Sequence, residues 1–305
     1  MIVVLPEAPA PLVATAPCLV ERISTFEPED LRACASRLRA AGVEAAVTDC
    51  RSIGDDQLAA LQAGDLRTYC VDELGGRALH CAGVFNPVIV EARHRYAGNS
   101  ELRIYAGPDY FPLGPEYAKW GRRPRVVDGD LSTVVVTMGG VDRSGATLRV
   151  FDILDRCASP VEKHVVLGAA FAWPDAMEER LRSARSRWHV HRGLPTLASL
   201  IGSADAAITA GGNTLYELAC VGTPAITLHE DPHEEEQARA FEARGFGTWV
   251  GRGADADAQQ LVMALERLQH REFRRAQSAA GRRIVDGRGG ARICDLIRDE
   301  LLAAA

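Results

Sequence analysis

The second half of the chain alternates short apolar runs with longer amphipathic stretches, and that rhythm leaves few folds open. The run 133–138 is β-branched and apolar and ends in Gly139-Gly140. A strand without polar alternation is buried on both faces, as in a parallel sheet. A helix follows, with Ser144 as a candidate cap and Leu148, Phe151, Ile153 and Leu154 as its apolar positions. Further strands are predicted at 164–167, 188–191, 206–209, 224–228 and 247–250, alternating with helices at 174–184, 195–201, 213–221, 234–244 and 255–269. Such alternation builds βαβ units around a parallel sheet. Six strands in this rhythm predict the doubly wound order 3-2-1-4-5-6, which makes the first and fourth neighbours at the switch point. The first ends at Gly139-Gly140 and the fourth at Gly211-Gly212, so both glycine pairs are expected to line one crevice at the carboxyl edge.

The first half is again α/β, with fewer units. Strands are expected at 2–5, 45–48, 67–71, 88–90 and 102–105, and helices at 29–41 and 55–63. A length of 305 residues suits two domains. The expected division is an N-terminal domain at 1–122, a linker rich in Arg and Pro at 123–130, a C-terminal domain at 131–280 and a terminal helix at 281–305 that packs back on the N-terminal domain. Arg122, Arg123 and Arg125 read as solvated linker charges.

A net charge of −6 argues against nucleic acid or an anionic membrane as partner. The first twenty residues are apolar, but Pro6, Pro9, Pro11 and Pro17 interrupt them and no basic residue precedes Arg22, unlike a secretory leader. No apolar stretch is long enough to span a bilayer. The eight cysteines, Cys18 among them, form no C-x-x-C pair and read as reduced thiols, several of them buried, so the expected location is the cytoplasm.

Three segments carry candidate chemistry. In Gly211-Gly212-Asn213-Thr214-Leu215-Tyr216-Glu217, glycines admit a close ligand and a helix N-terminus offers N–H donors to a diphosphate. Glu217, one turn on, suits a pair of ribose hydroxyls; equally, Thr214-x-x-Glu217 is a capping box that satisfies the helix's own end. Met138-Gly139-Gly140-Val141-Asp142-Arg143 repeats the strand-to-helix loop, with Arg143 for a phosphate or Asp142 as a cap. The run from His229 to Gln237 reads as an acidic loop and first helical turn rather than a metal site, with His233 and Gln237 as candidates to face the crevice. In the first half Asp49 and Asp72 follow predicted strands, and with His94 they are candidates for a catalytic base.

Together these runs resemble the UDP-sugar hydrolases of pseudaminic acid biosynthesis (PseG/SpsG type), similar in turn to the MurG-type glycosyltransferases. The resemblance rests on the two glycine segments, Gly222-Thr-Pro224, Gln237 and Asp286-Gly287-Arg-Gly289-Gly-Ala-Arg292-Ile293, with Val71-Asp72-Glu73-Leu74 and Leu113-Gly114-Pro115-Glu116-Tyr117-Ala118 in the first half. It implies a GT-B fold of two Rossmann-like domains, the N-terminal one reduced. It also implies UDP against Gly139, Gly140, Gly211, Gly212, Asn213 and Thr214, ribose on Glu217, and Gln237 and His233 on the sugar side. Neither metal nor cofactor is implied, because helix dipoles stabilise the departing diphosphate. The family's G-x-G-H-x-x-R loop is not found here, and its D-H-Y reads Asp49-Cys50-Arg51. The expectation is an enzyme that cleaves or transfers the glycosyl group of a nucleotide-sugar, with an acceptor small molecule in the second case. The alternative is a catalytically altered nucleotide-sugar-binding subunit or regulator, working as a homo-oligomer or with a partner chain.

Overall fold

The computed structural model describes residues 2–5, 19–22, 27–50, 53–97, 102–157 and 161–304. Cys18, Pro6, Pro9, Pro11, Pro17 and Arg51 lie outside them. The chain forms two compact units, Met1–Tyr110 with Ile293–Ala305, and Phe111–Arg292.

In the first unit β1 (Ile2–Leu5) pairs in parallel with β2 (Leu19–Arg22), a strand too short and too charged to be read from its pattern. Then come α1 (Pro28–Ala40), β3 (Ala45–Asp49), α2 (Asp55–Gln62), β4 (Arg67–Val71), β5 (Gly83–Asn86) and β6 (Arg103–Ala106). The last four strands form a parallel sheet in the order β3-β4-β5-β6. The strand expected at 88–90 is not one: β5 lies earlier, and the chain passes Val88 and Ile89 into a 3-10 turn at Glu91–Arg93. Val88 and Ile89 are fully buried; their apolar signature reports burial, not strand pairing. Ile293, Leu296 and Ile297 join a cluster with Tyr69, Val71 and Phe85. Beside it the Glu300 carboxylate accepts from the Arg67 guanidinium and the hydroxyls of Tyr69 and Tyr105.

The second unit opens with α3 (Pro115–Gly121), followed by β7 (Thr133–Thr137), α4 (Ala146–Arg156), β8 (Glu162–Leu167), α5 (Pro174–Arg182), β9 (Trp188–Arg192), α6 (Ala198–Ser203) and β10 (Ala206–Ala210). It continues through α7 (Thr214–Val221), β11 (Ala225–His229), α8 (Pro232–Ala243), β12 (Thr248–Arg252), α9 (Ala258–Gln269), α10 (Arg271–Ile284) and the start of α11 (Gly289–Ala304). Its sheet is wholly parallel in the order β12-β11-β10-β7-β8-β9. That is the doubly wound order, with β7 and β10 side by side at its centre. Val134, Val136, Ile208 and Ile226 pack one face against Phe151, Leu154, Leu261 and Leu265.

The division falls at Phe111, ahead of the linker expected at 123–130. Phe111 stacks on Tyr216 with ring centres 3.8 Å apart, so the segment before α3 already belongs to the second unit. The segment 123–130 is largely exposed, yet it is anchored rather than a free tether. Arg125 donates to the carbonyls of Gly202 and Ala204 and to Thr223 Oγ1. Arg274 donates to the carbonyls of Leu268, Gln269 and Gly129, and Arg282 to those of Arg123 and Val221. Apart from those of Gly129 and Arg123, the receiving carbonyls lie at the C-terminal ends of α6, α7 and α9, where the last turn is unsatisfied and the dipole favours a cation. Burial, and then the nearby Arg282, lower Arg125 to about 10. Removing this fork leaves buried carbonyls without donors. Arg125→Ala is expected to lower the unfolding free energy of this unit by about 2–4 kcal/mol in urea melts, and Arg125→Lys to recover little of it, since an ammonium cannot reproduce the fork.

Candidate functional site

β7 and β10 run in register, Thr137 beside Thr209. The loops that leave them therefore emerge next to each other at the carboxyl edge, Gly139-Gly140 from one and Gly211-Gly212 from the other. The two pairs differ physically. Gly139 has φ +79°, and a Cβ on Gly139 or Gly140 would meet nothing within 4 Å; this loop is open above. A Cβ on Gly211 would lie 2.2 Å from the Glu234 carbonyl oxygen, so Gly211 is set by close contact with the first turn of α8.

The helix ends differ as well. Asp142 folds back onto α4, accepting from Ala146 N and Thr147 N at 2.8 Å each. The N-terminus of α4 is thus filled by the chain's own carboxylate, and Asp142 rather than Ser144 is its cap. The Arg143 side chain is exposed beside it. At α7, Asn213 takes helical angles (φ −60°, ψ −28°) and no side chain caps the helix. The capping box open to Thr214 and Glu217 is not made. Instead the Glu217 carboxylate is hydrogen-bonded to Tyr117 and Thr214, and the Tyr117 hydroxyl accepts from Leu197 N at 3.3 Å. Burial pushes Glu217 above the ordinary carboxylate range; the Tyr117 hydrogen bond opposes the rise, and the Glu116 charge adds to it. Tyr117 was expected in the N-terminal domain. It belongs to the second unit because α3 does, and the sequence carried its signal in Leu113-Gly114-Pro115-Glu116-Tyr117-Ala118.

Gln237, expected to face a sugar, is buried. Its Oε1 accepts from Tyr216 Oη at 2.6 Å and its Nε2 donates to the Gly211 carbonyl at 2.7 Å. It holds the glycine loop from beneath, with both polar ends occupied. His233 is half-buried on the first turn of α8. In the loop before that helix, Glu234 N donates to Asp231 Oδ1 at 3.0 Å and Glu230 N donates to Glu234 Oε2 at 2.8 Å. Ser144 N donates to Glu230 Oε1 at 2.6 Å, which ties this loop to the one after β7. A cavity of about 10 Å³, large enough for one water, lies between Met138, Asp142, Ala210, Leu228 and Glu230. Ser144 Oγ lines it, buried and without a partner. Burial, opposed by the Glu230 N–H and reinforced by Asp231 and Glu230, raises the pKa of Glu234. Sequence reading had placed Glu230 in a solvated loop; its grip on Ser144 leaves no local signature.

The candidate bases lie in the first unit. Asp72 is buried and saturated: Oδ1 accepts from Arg77 at 2.8 Å, and Oδ2 from Gly75 N at 2.9 Å and Tyr96 Oη at 2.8 Å. His94 Nε2 lies 2.8 Å from the Val88 carbonyl. Asp49 ends β3 with its side chain open to solvent, and partial burial, then Glu73, raise its pKa. The tail motif is structural. Asp286 accepts from Arg288 N at 2.9 Å and from the Arg292 guanidinium, and a Cβ on Gly287 would lie 2.8 Å from Cys220 Sγ.

The sheet order, with two Rossmann-like parallel sheets in one chain, defines the GT-B class of fold. MurG of Acinetobacter baumannii shares it with a TM-score of 0.64 at 13% identity, over 95% of this chain and 87% of that one. UGT2 of Phytolacca americana, solved with UDP-2-fluoro-glucose and pterostilbene, does so with a TM-score of 0.61 at 13% identity, over 93% and 86%. In sequence the chain is a homologue of the spore coat polysaccharide biosynthesis protein SpsG of Bacillus subtilis, 27% identical over 239 residues, 77% of this chain and 70% of that protein. No family model matches the chain. Among the described residues no helix is long and apolar enough to cross a membrane.

Two outcomes follow from this geometry. Gly211→Ala drives a Cβ into backbone and is expected to lose about 1–3 kcal/mol of stability, whereas Gly140→Ala is expected to stay within about 0.5 kcal/mol; denaturant melts of the two variants read the contrast. Glu217, with its folded pKa raised, is neutral in both states at low pH, and its ionisation weighs against folding as pH rises through the interval between the unfolded and folded values. Glu217→Gln is therefore expected to melt higher than the wild type at pH 7, with the gain gone below about pH 4. A gain that persists unchanged at low pH contradicts the assignment.

Proposed function

We propose that the crevice between the β7 and β10 loops binds the diphosphate of a nucleotide-sugar, with UDP as the nucleotide, and that the protein cleaves or transfers the glycosyl group. The observation that carries this reading is the capping box left unmade at α7. A carboxylate one turn into the helix, held by Tyr117 rather than used to close the helix end, suits two ribose hydroxyls. The uncapped N-terminus beside it suits a diphosphate, because its N–H groups and dipole favour negative charge. The open Gly139-Gly140 loop admits phosphate oxygens close to backbone, and Arg143 adds a cation at its rim. Glu230, a carboxylate fixed between two loops, suits sugar hydroxyls. The likeness to SpsG, a polysaccharide biosynthesis protein, and to a fold solved elsewhere with a UDP-sugar supports the same ligand class.

In the reaction the bond from the anomeric carbon to the diphosphate oxygen breaks and UDP leaves with the electron pair. The developing charge is stabilised at the α7 terminus. A hydroxyl oxygen of water or of an acceptor forms the new bond and passes its proton to a base. Of the three candidate bases, Asp49 alone keeps its carboxylate open to solvent. A second reading, a nucleotide-sugar-binding subunit without turnover, is favoured by the engagement of Asp72 and His94 in other bonds.

UDP release from a panel of UDP-sugars tests the proposal, with and without small hydroxylated acceptors. The wild type is expected to release UDP above background, with Glu217→Ala reduced at least about tenfold. Release without acceptor identifies hydrolysis, and release that depends on acceptor identifies transfer. Binding without release under either condition replaces the enzyme with the binding subunit.

A further inference from the structure

Strands β8 and β9 carry a constellation that the nucleotide crevice does not use. Side chains alternate along a strand. Val165 and Leu167 on β8, and Trp188 and Val190 on β9, pack on the core. The residues between them, Glu162, His164, His189 and His191, therefore share the opposite face. Register places His164 beside His189. The His164 ring lies near-parallel to both neighbours, with centroids 4.8 Å from His189 and 5.2 Å from His191. Glu162 Oε1 lies 2.9 Å from His189 Nε2 and 3.4 Å from His164 Nε2. The three ligand atoms all fall within 4.8 Å of one another.

A purely structural account exists: each ring donates a proton along the chain, and Glu162 accepts the last. Two features go beyond it. First, donor atoms on a tetrahedral zinc ion, with bonds of about 2.0–2.1 Å, sit about 3.3 Å apart, close to the two Glu162–imidazole separations. Second, His164 Nδ1 is 2.9 Å from His191 Nε2. With the proton on Nδ1, that bond fixes the ring and leaves the lone pair of Nε2 on the side of Glu162, 3.4 Å away. A ligating histidine ordinarily gives its other nitrogen to such an outer partner.

We infer that Glu162, His164 and His189 form a binding site for a divalent transition-metal ion of the zinc class, with His191 as the outer partner that orients His164 and solvent completing the coordination. Two imidazoles and one carboxylate are a borderline donor set, suited to zinc or cobalt rather than calcium or magnesium. The ion joins β8 to β9, the outermost strand of its sheet, and so fastens an edge. The inference is independent of the nucleotide reading, since its residues belong to neither glycine loop.

Chelator-treated full-length protein is titrated with Co²⁺, followed by visible absorption, and then displaced with Zn²⁺. One equivalent is expected to give the intense bands of a four-coordinate cobalt site, and Zn²⁺ to raise the melting temperature. His189→Gln and Glu162→Gln are expected to abolish both effects. Glu162 is exposed, so its variant should melt like the wild type without metal, which separates lost binding from lost folding. His191→Gln is expected to weaken binding by about 10–100-fold. Absence of saturable uptake by the folded wild type overturns the inference. So does uptake unchanged in both ligand variants, which places the ion elsewhere, such as at His229 and Glu235, 3.6 Å apart.

Discussion

The pairing of β7 with β10 is the constraint on which the C-terminal unit depends. These strands are far apart in sequence, yet their register sets Thr137 beside Thr209 and brings two strand-to-helix loops to one place. Every other strand of the sheet is laid down outward from that pair, in both directions. Because helices leave the two central strands to opposite faces in a doubly wound sheet, this is the point along the edge where such folds take their ligands. The crevice is a consequence of chain topology before any side chain is considered.

Side chains then decide which parts of that gap remain available to a ligand. The chain supplies its own anions to some of the donors. Asp142 fills the start of α4, and Glu230 takes the amide of Ser144. At α7 no side chain caps the helix; Glu217 instead interacts with Tyr117 and Thr214, while Gln237 donates to the Gly211 carbonyl. Two loops that look alike in sequence thus have different chemistry: one is capped and open above, the other uncapped and tightly set against α8. The raised pKa values of Glu217 and Glu234 share the same leading cause, burial of a carboxylate near others.

Much of the C-terminal fold was legible in the sequence because its strands are buried on both faces and its helices are amphipathic, so 133–138 and 206–209 announce themselves. Boundaries drifted where capping decides them. The helix expected at 195–201 begins later, at Ala198, and Ser144 yielded its capping role to Asp142. In the first half Val88 and Ile89 mimicked a strand because burial without pairing leaves the same apolar mark. Other misreadings are three-dimensional in origin. Nothing local marks Arg125 as anchored, since its partners, the carbonyls of Gly202 and Ala204 and the Thr223 hydroxyl, lie far along the chain. Gln237 looked like a ligand-facing polar residue, but its partners, Tyr216 and Gly211, lie more than twenty residues upstream. The loop glycines and Glu217 stood out in the sequence because their spacing follows from the strand–turn–helix itself. The candidate bases did not, since a carboxylate at a strand end has the same sequence signature whether it is open to solvent, like Asp49, or locked, like Asp72.

The central claim is that the crevice recognises a diphosphate, and a calorimetric comparison of UDP with UMP tests it most directly. One-to-one binding of UDP, tighter than UMP by tenfold or more, or at least about 1.4 kcal/mol, is the result the account predicts. Equal affinity for the two nucleotides, or no heat from either, contradicts it and leaves the paired glycine loops as turns.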